Sequence, residues 1–93
     1  MNKFIVTSDG RFRFGDVRLH KQLLQPGEEC IGGGMYEFDY TGNRMLLWGE
    51  SYDFGRVKWS WLETLTLPTS LEGMSIEYEG LPLSDFVTLR HAD

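Results

Sequence analysis

A five-residue loop in the middle of the chain has the composition of an anion-binding site. It leads into residues 56–66, where apolar side chains recur at helical spacing. Backbone N–H groups at a helix N-terminus are unpaired, and the helix dipole adds positive potential, so phosphate or another small anion could bind there. The candidate anion-binding residues of this loop are Ser51, Tyr52, Asp53, Phe54 and Gly55. Asp53 has two interpretations: its carboxylate opposes an anion, and it could also cap the helix.

Four other residues have side chains or positions that bear on chemistry. Lys3 could supply positive charge to the same pocket, and Phe14 is expected to line it. His20 is a weak candidate for proton transfer, with a surface position on a helix as the alternative. Cys30 lacks an arginine six residues later, where Tyr36 stands, so a small buried hydrophobe is favoured over a nucleophile. The sequence predicts no cofactor and no metal site.

The hydrophobic pattern predicts the order β-β-α-β-β-α-β, with a further short strand at 86–89. Strands are expected at 11–14, 35–40 and 74–79, because apolar residues alternate there, and at 3–7 and 44–49, which are short continuous apolar runs. Helices are expected from Asp16 to about Leu24 and over 56–66. The strand at 44–49 is expected to be buried on both faces, and residues 90–93 are expected to fray. The fold class is therefore α+β, one mixed sheet of five to six strands with two packed helices.

Two short segments carry a family resemblance. Glu29-Cys30-Ile31-Gly32-Gly33-Gly34 precedes a predicted hairpin, and the hairpin is followed by Leu47-Trp48-Gly49-Glu50-Ser51-Tyr52-Asp53-Phe54-Gly55. This pattern resembles the Janus/Ocnus family, whose known enzymes are small phosphohistidine phosphatases. The resemblance covers roughly residues 3–79, with 80–93 as a C-terminal extension. It implies a phosphohistidine-phosphatase-like fold, a phosphate-holding loop at Ser51, and a first-strand lysine at Lys3.

The sequence departs from this family at the position that carries its chemistry. The family has a histidine before the first helix, in a His-x-Asp-aliphatic context. The matching stretch here is Phe14-Gly15-Asp16-Val17, and phenylalanine can neither exchange a proton nor form a phosphoryl adduct. Met35 also stands where an arginine often follows the three glycines. The resemblance therefore implies a member without the catalytic histidine.

Composition limits the classes of partner. The 93 residues are enough for one domain, and the net charge of −5 argues against nucleic acid and anionic membranes. Residues 1–25 nevertheless hold five basic and two acidic residues, against four basic and twelve acidic in the remainder. One cysteine, no secretion signal and no long apolar run predict a cytoplasmic protein. The aromatic residues predict either a thin core or a protein-contact patch that includes Tyr52 and Trp59.

These features predict a non-catalytic binding or interaction module that retains a small-anion pocket between Phe14, Lys3 and residues 51–55. Its ligand would be a phosphorylated molecule, another small anion or a protein segment. One alternative is an active phosphohistidine phosphatase or other phosphoryl-transfer enzyme with a relocated catalytic residue such as His20 or Arg13. Another is a structural protein that assembles as a homodimer.

Overall fold

The computed structural model describes residues 1–92 as a mostly β structure. Its strands, in chain order, are β1 (Asn2–Thr7), β2 (Phe12–Asp16), β3 (Cys30–Asp39), β4 (Arg44–Trp48), β5 (Thr64–Leu67), β6 (Ser75–Tyr78), β7 (Leu81–Pro82) and β8 (Thr88–His91). The helical segments among the described residues are short 3₁₀ helices: His20–Leu23, Trp59–Trp61, Thr69–Leu71 and Leu83–Asp85.

The strands form one six-stranded sheet and one two-stranded sheet. The larger sheet has the order β2-β1-β3-β4-β6-β7, and all of its pairs are antiparallel except β4–β6. The parallel β4–β6 pair requires a crossover, and the chain between them carries β5. The parallel β5–β8 pair meets the larger sheet at a single bridge between Arg11 and Thr66.

The core lies on one face of the six-stranded sheet, called here the inner face. Alternation along the strands places Phe4, Phe12, Tyr36, Met45 and Ile76 on this face, and all five are buried. Buried residues from the crossover and the C-terminal segment complete the core: Val57, Trp59, Leu65, Leu67, Leu71, Leu83 and Val87. Burial of each large apolar side chain contributes about 1.5–3 kcal/mol.

The predicted α+β fold with two packed helices is wrong. Among the described residues, 47% lie in strands or bridges, 14% lie in helix, and no helix reaches seven residues. In the first predicted helix, β2 continues to Asp16 and Val17 still bonds to Met1, so few residues remain before Pro26. A helix this short does not repay its nucleation cost. The segment forms only the 3₁₀ helix at His20–Leu23, whose start is capped by the Gln22 side chain.

The second predicted helix fails because the spacing of its apolar residues also fits an extended chain. Val57 and Trp59 are buried two residues apart, as are Leu65 and Leu67, whereas Trp61 is 64% exposed. Only the 3₁₀ helix at Trp59–Trp61 forms, and Thr64 then begins β5. Period-two burial and a β-branched threonine between Leu65 and Leu67 favour the strand.

The other predictions of strands have mixed outcomes. The strands expected at 3–7, 11–14, 35–40, 44–49 and 74–79 correspond to β1, β2, β3, β4 and β6, and the segment at 86–89 contributes the start of β8. β4 is central, but it is buried on its inner face only, since Trp48 is 40% exposed. The expected fraying of residues 90–93 is wrong for 90–92: β8 includes Arg90, and Ala92 N–H donates to the Leu67 carbonyl. Asp93 lies outside the described residues.

Candidate binding cleft at the free edge of strand β2

The loop predicted to bind an anion is closed by its own hydrogen bonds. Ser51 and Gly55 exchange backbone hydrogen bonds, with N···O distances of 3.2 and 2.8 Å, and Phe54 N–H donates to Ser51 Oγ. No helix begins directly after Gly55, and the next helical segment is the three-residue 3₁₀ helix at Trp59–Trp61. The α-helix dipole on which the prediction depends is therefore missing at this loop. Tyr52 at the tip is fully exposed and Asp53 is also exposed. Three N–H groups of the loop, those of Ser51, Phe54 and Gly55, therefore donate within the protein and are not available to an anion.

Lys3 and Phe14 lie on opposite faces of the sheet. Phe14 pairs with Phe4 on the inner face, whereas Lys3 pairs with Gly15 and therefore points to the other face, called here the outer face. Phe14 packs edge-on against Tyr36, with ring centroids 5.2 Å apart. Lys3 Nζ donates to the Arg18 carbonyl at 2.8 Å. The structure therefore does not bring these two side chains into one pocket.

His20 is buried on the outer face. Its Nε2 lies 2.8 Å from the Gly34 carbonyl oxygen, and because a carbonyl only accepts, Nε2 carries the proton. Burial lowers the pKa of His20 below its ordinary value; the Gly34 bond raises it, Lys3 lowers it and Asp53 raises it by smaller amounts. His20 is therefore a buried imidazole whose Nε2 donates to Gly34 and whose pKa is also affected by the charges of Lys3 and Asp53.

The three consecutive glycines accommodate groups of the protein itself. A β-carbon on Gly32 would lie 2.6 Å from the backbone of Val57, and one on Gly34 would lie 2.8 Å from the Phe4 ring. Gly33 is covered by His20. The missing β-carbons of this segment therefore make room for another backbone segment and two side chains. Cys30 beside them is half-buried, and burial raises the pKa of its thiol, as expected for a small packing residue.

A cleft of about 440 Å³ lies where β2 diverges from β5. Its walls come from β2, from the 3₁₀ helix at His20–Leu23, from the end of β5 and from the residues after β5 and β8. Most of the lining is apolar: Phe12, Phe14, Leu23, Leu67, Pro68 and Ala92. This volume falls in the range of ligand-binding pockets, about 300–1,000 Å³. Phe14 is the member of the predicted site that lines it.

The free edge of β2 runs along this cleft. Thr7 N–H donates to the Arg11 carbonyl. Along an antiparallel ladder, residue pairs that exchange backbone hydrogen bonds alternate with pairs that do not, so Arg13, two residues after Arg11, also bonds to β1. The backbone N–H and C=O of Phe14 must then point away from β1, toward the cleft. Among the described residues, no strand pairs with Phe14 on that side.

Pro68 explains why β5 does not cover this edge. Thr66 N–H donates to the Gly10 carbonyl at 2.6 Å, which starts a parallel ladder between β5 and β2. The next N–H of β5 to face β2 would be that of residue 68, and its acceptor would be the Phe12 carbonyl. Proline has no N–H, so the ladder stops after one bridge and the strands separate.

The charged side chains at the rim of the cleft are neutralised. Arg13 holds Glu28 through both guanidinium nitrogens, with a distance of 2.7 Å between Nη2 and Oε2. The hydrogen bond from Arg13 lowers the pKa of Glu28 to about 2, and the Gln25 amide adds to the effect. Arg11 lies 3.4 Å from Asp9. The remaining polar groups of the cleft are the hydroxyls of Thr66 and Ser70 and the backbone of β2.

Sequence reasoning missed this cleft because its walls are distant in the chain. A signal was nevertheless present: Pro68 directly follows the alternating Leu65-Thr66-Leu67, which marks the end of a strand and the loss of a donor.

Among residues 1–92, no group of three or more histidine, cysteine, aspartate or glutamate side chains could hold a metal ion. Within the same residues, no helix has the length and apolar character to cross a membrane.

No family model, curated protein or solved structure matches this chain. The resemblance of the glycine triplet and the Ser51 loop to the Janus/Ocnus family therefore stays a prediction from the sequence.

Proposed function

We propose that this protein is a non-catalytic binding module that takes up an extended peptide by strand addition at β2. The observation that carries the proposal is the unpaired backbone of Phe14 at the side of an apolar cleft. An extended peptide presents N–H and C=O groups at the spacing that a strand edge requires, and one of its side chains could fill the apolar volume. The ligand would thus be a protein segment, one of the partners that the sequence allows.

A binding role fits the chemistry of the cleft better than catalysis does. Its hydroxyls, on Thr66 and Ser70, have no histidine or free carboxylate beside them in the lining. His20 lies on the outer face with its Nε2 proton bound to Gly34. The cytoplasmic location expected from the single free cysteine remains part of this proposal.

The test uses a peptide probe and backbone amide NMR. The probe is an acetylated, amidated pentapeptide of alternating valine and threonine, added at millimolar concentration. We expect shifts at Phe14, Asp16, Leu23 and Ala92, together with slower hydrogen exchange at Phe14. The same peptide with N-methyl groups on the amides that face β2 should not bind, because strand addition depends on main-chain hydrogen bonds.

Two variants of the Thr69–Leu71 segment provide a matched control. Ser70→Trp places an indole in the cleft and should abolish peptide binding. Thr69→Trp changes an exposed neighbour outside the cleft lining and should leave binding intact. Equal binding by the N-methylated peptide, or no effect of Ser70→Trp, would contradict the proposal. A separate titration with inorganic phosphate that shifts Lys3 and residues 51–55 would instead support the small-anion pocket.

A further inference from the structure

The outer face of β3, β4 and β6 presents an apolar strip that the protein leaves partly open. Met35 pairs with Trp48, and Leu46 lies next to Trp48 on the same face of β4. Trp48 is 40% exposed, and Met35 and Leu46 are only partly buried. The 3₁₀ helix at His20–Leu23 packs near β1 and Gly33 and leaves these three side chains accessible.

Carboxylates surround this strip. Glu37 and Glu77 are the cross-strand neighbours of Leu46 on its two sides. Arg44 also lies near the strip, but its guanidinium is paired with two carboxylates: Nη2 lies 2.7 Å from Asp39 Oδ2, and Nη1 lies 3.1 Å from Glu77 Oε2. Glu37 has no ion-pair partner among the described residues, and Glu50 follows β4 two residues after Trp48. The surroundings of the strip are therefore acidic. Lys3, the cross-strand neighbour of Met35 in β1, is a basic residue at the edge of the strip.

We infer that this outer face is a second interaction surface, one that docks a cationic protein segment carrying an apolar anchor residue. Tryptophan is one of the three residue types enriched among those that dominate binding energy. The surrounding carboxylates attract lysine and arginine and repel nucleic acid and anionic lipid. The surface shares no residue with the cleft at β2, so this inference can be tested independently of strand addition.

The experiment uses a defined cationic probe. A twelve-residue peptide of alternating lysine and leucine is titrated against the whole chain at low and at physiological salt, with amide NMR shifts as the readout. We expect saturable shifts at Met35, Glu37, Leu46, Trp48 and Glu77. A peptide in which glutamate replaces every lysine should not bind.

Variants separate docking from general attraction to an acidic protein. Trp48→Ala and Glu37→Lys should each weaken binding of the lysine–leucine peptide about tenfold or more. Trp61→Ala removes an equally large exposed ring that instead stacks with Lys58, and it should leave binding unchanged. Equal losses in Trp48→Ala and Trp61→Ala, or shifts spread over remote acids such as Glu63 and Asp85, would overturn the inference. So would a concentration-dependent dimer that is abolished by Trp48→Ala, because the strip would then be covered by a second copy.

Discussion

The imidazole of His20 packs directly on the backbone of Gly33. A β-carbon at position 33 would lie 3.0 Å from His20 Cδ2 and would collide with the Phe4 carbonyl oxygen in the neighbouring strand. The ring reaches the Gly34 carbonyl only because this space is empty. A glycine in the middle of a strand normally weakens it, so the position of His20 gives a physical reason for the residue.

Gly33→Ala should therefore destabilise the protein by about 1–3 kcal/mol, the usual cost of overpacking. The methyl group would push against the rigid backbone of β1 and displace His20 from Gly34. Gly15→Ala is the matched control, because its β-carbon would meet the end of the flexible Leu23 side chain at 3.3 Å. Chemical denaturation of both variants measures the effect. Equal stability of Gly33→Ala and the parent chain would show that β1 and β3 can move apart at this position with little loss of free energy of unfolding.

His20 should make the free energy of unfolding depend on pH in the acidic range. Its pKa in the folded state is lowered from 6.5, first by burial, so the unfolded chain binds a proton more readily. Stability should be full above pH 6.5 and should decrease as the pH falls below that value, until the folded His20 also becomes protonated. The charges that act on the ring are those of Lys3 and Asp53.

Two measurements check this pH dependence. The NMR shift of the His20 Cε1 proton should titrate with a midpoint below 6.5. In His20→Gln, the loss of stability between pH 7.5 and pH 5.5 should be smaller than in the parent chain. A midpoint above 6.5 would mean that Asp53 and the Gly34 bond outweigh burial.

The sequence predicted the strands well where alternation was unambiguous. Tyr36, Phe38 and Tyr40 alternate with acidic residues along β3 and just after it, and a turn around Gly42 joins β3 to β4. Ile76 and Tyr78 are two positions apart in the strand predicted at 74–79, and both are buried. These properties are local, because each depends on residues only two positions apart in the chain.

The helices and the site depend on distant contacts, and the sequence did not predict them. Val57, Trp61 and Leu65 fit a helix by spacing, but Trp59 is the tryptophan that packs against Tyr78, at a centroid distance of 5.2 Å. Trp59 is therefore part of the core, and the surface patch that the sequence predicts as one alternative does not include it. The cleft likewise requires β2 to meet Pro68 and Ala92, and no local pattern specifies that meeting.

The ion pair between Arg13 and Glu28 should stabilise the fold above about pH 4.5. The folded pKa of Glu28 is lowered to about 2 from an ordinary value of 4.5, so its contribution is lost as the pH falls from 4.5 toward 2. Other carboxylates titrate in the same range, and the informative quantity is the stability difference between the parent chain and Glu28→Gln. This difference should shrink as the pH falls, whereas Glu29→Gln should show little difference at any pH. A difference that does not change with pH would mean that Glu28 acts by packing and not by charge.

Pro68→Ala should extend the pairing of β5 with β2. The new N–H at position 68 would face the Phe12 carbonyl, which is the next acceptor in the ladder begun by Thr66 and Gly10. The added hydrogen bond contributes about 0.5–1.5 kcal/mol, and the loss of proline costs about 0.4–1 kcal/mol through the unfolded chain. Because these two effects nearly cancel, hydrogen exchange at position 68 is more informative than stability.

The Pro68→Ala amide should exchange slowly, and the valine–threonine peptide should bind more weakly because the cleft is narrower. Pro26→Ala, in an exposed loop, is the control, and it should change only the conformational entropy of the unfolded chain. An unprotected amide at position 68 would show that β5 and β2 are held apart by Leu67 and Phe12 packing rather than by the missing donor. In that case the cleft would be a fixed feature of the core, and peptide binding should be the same in Pro68→Ala as in the parent chain.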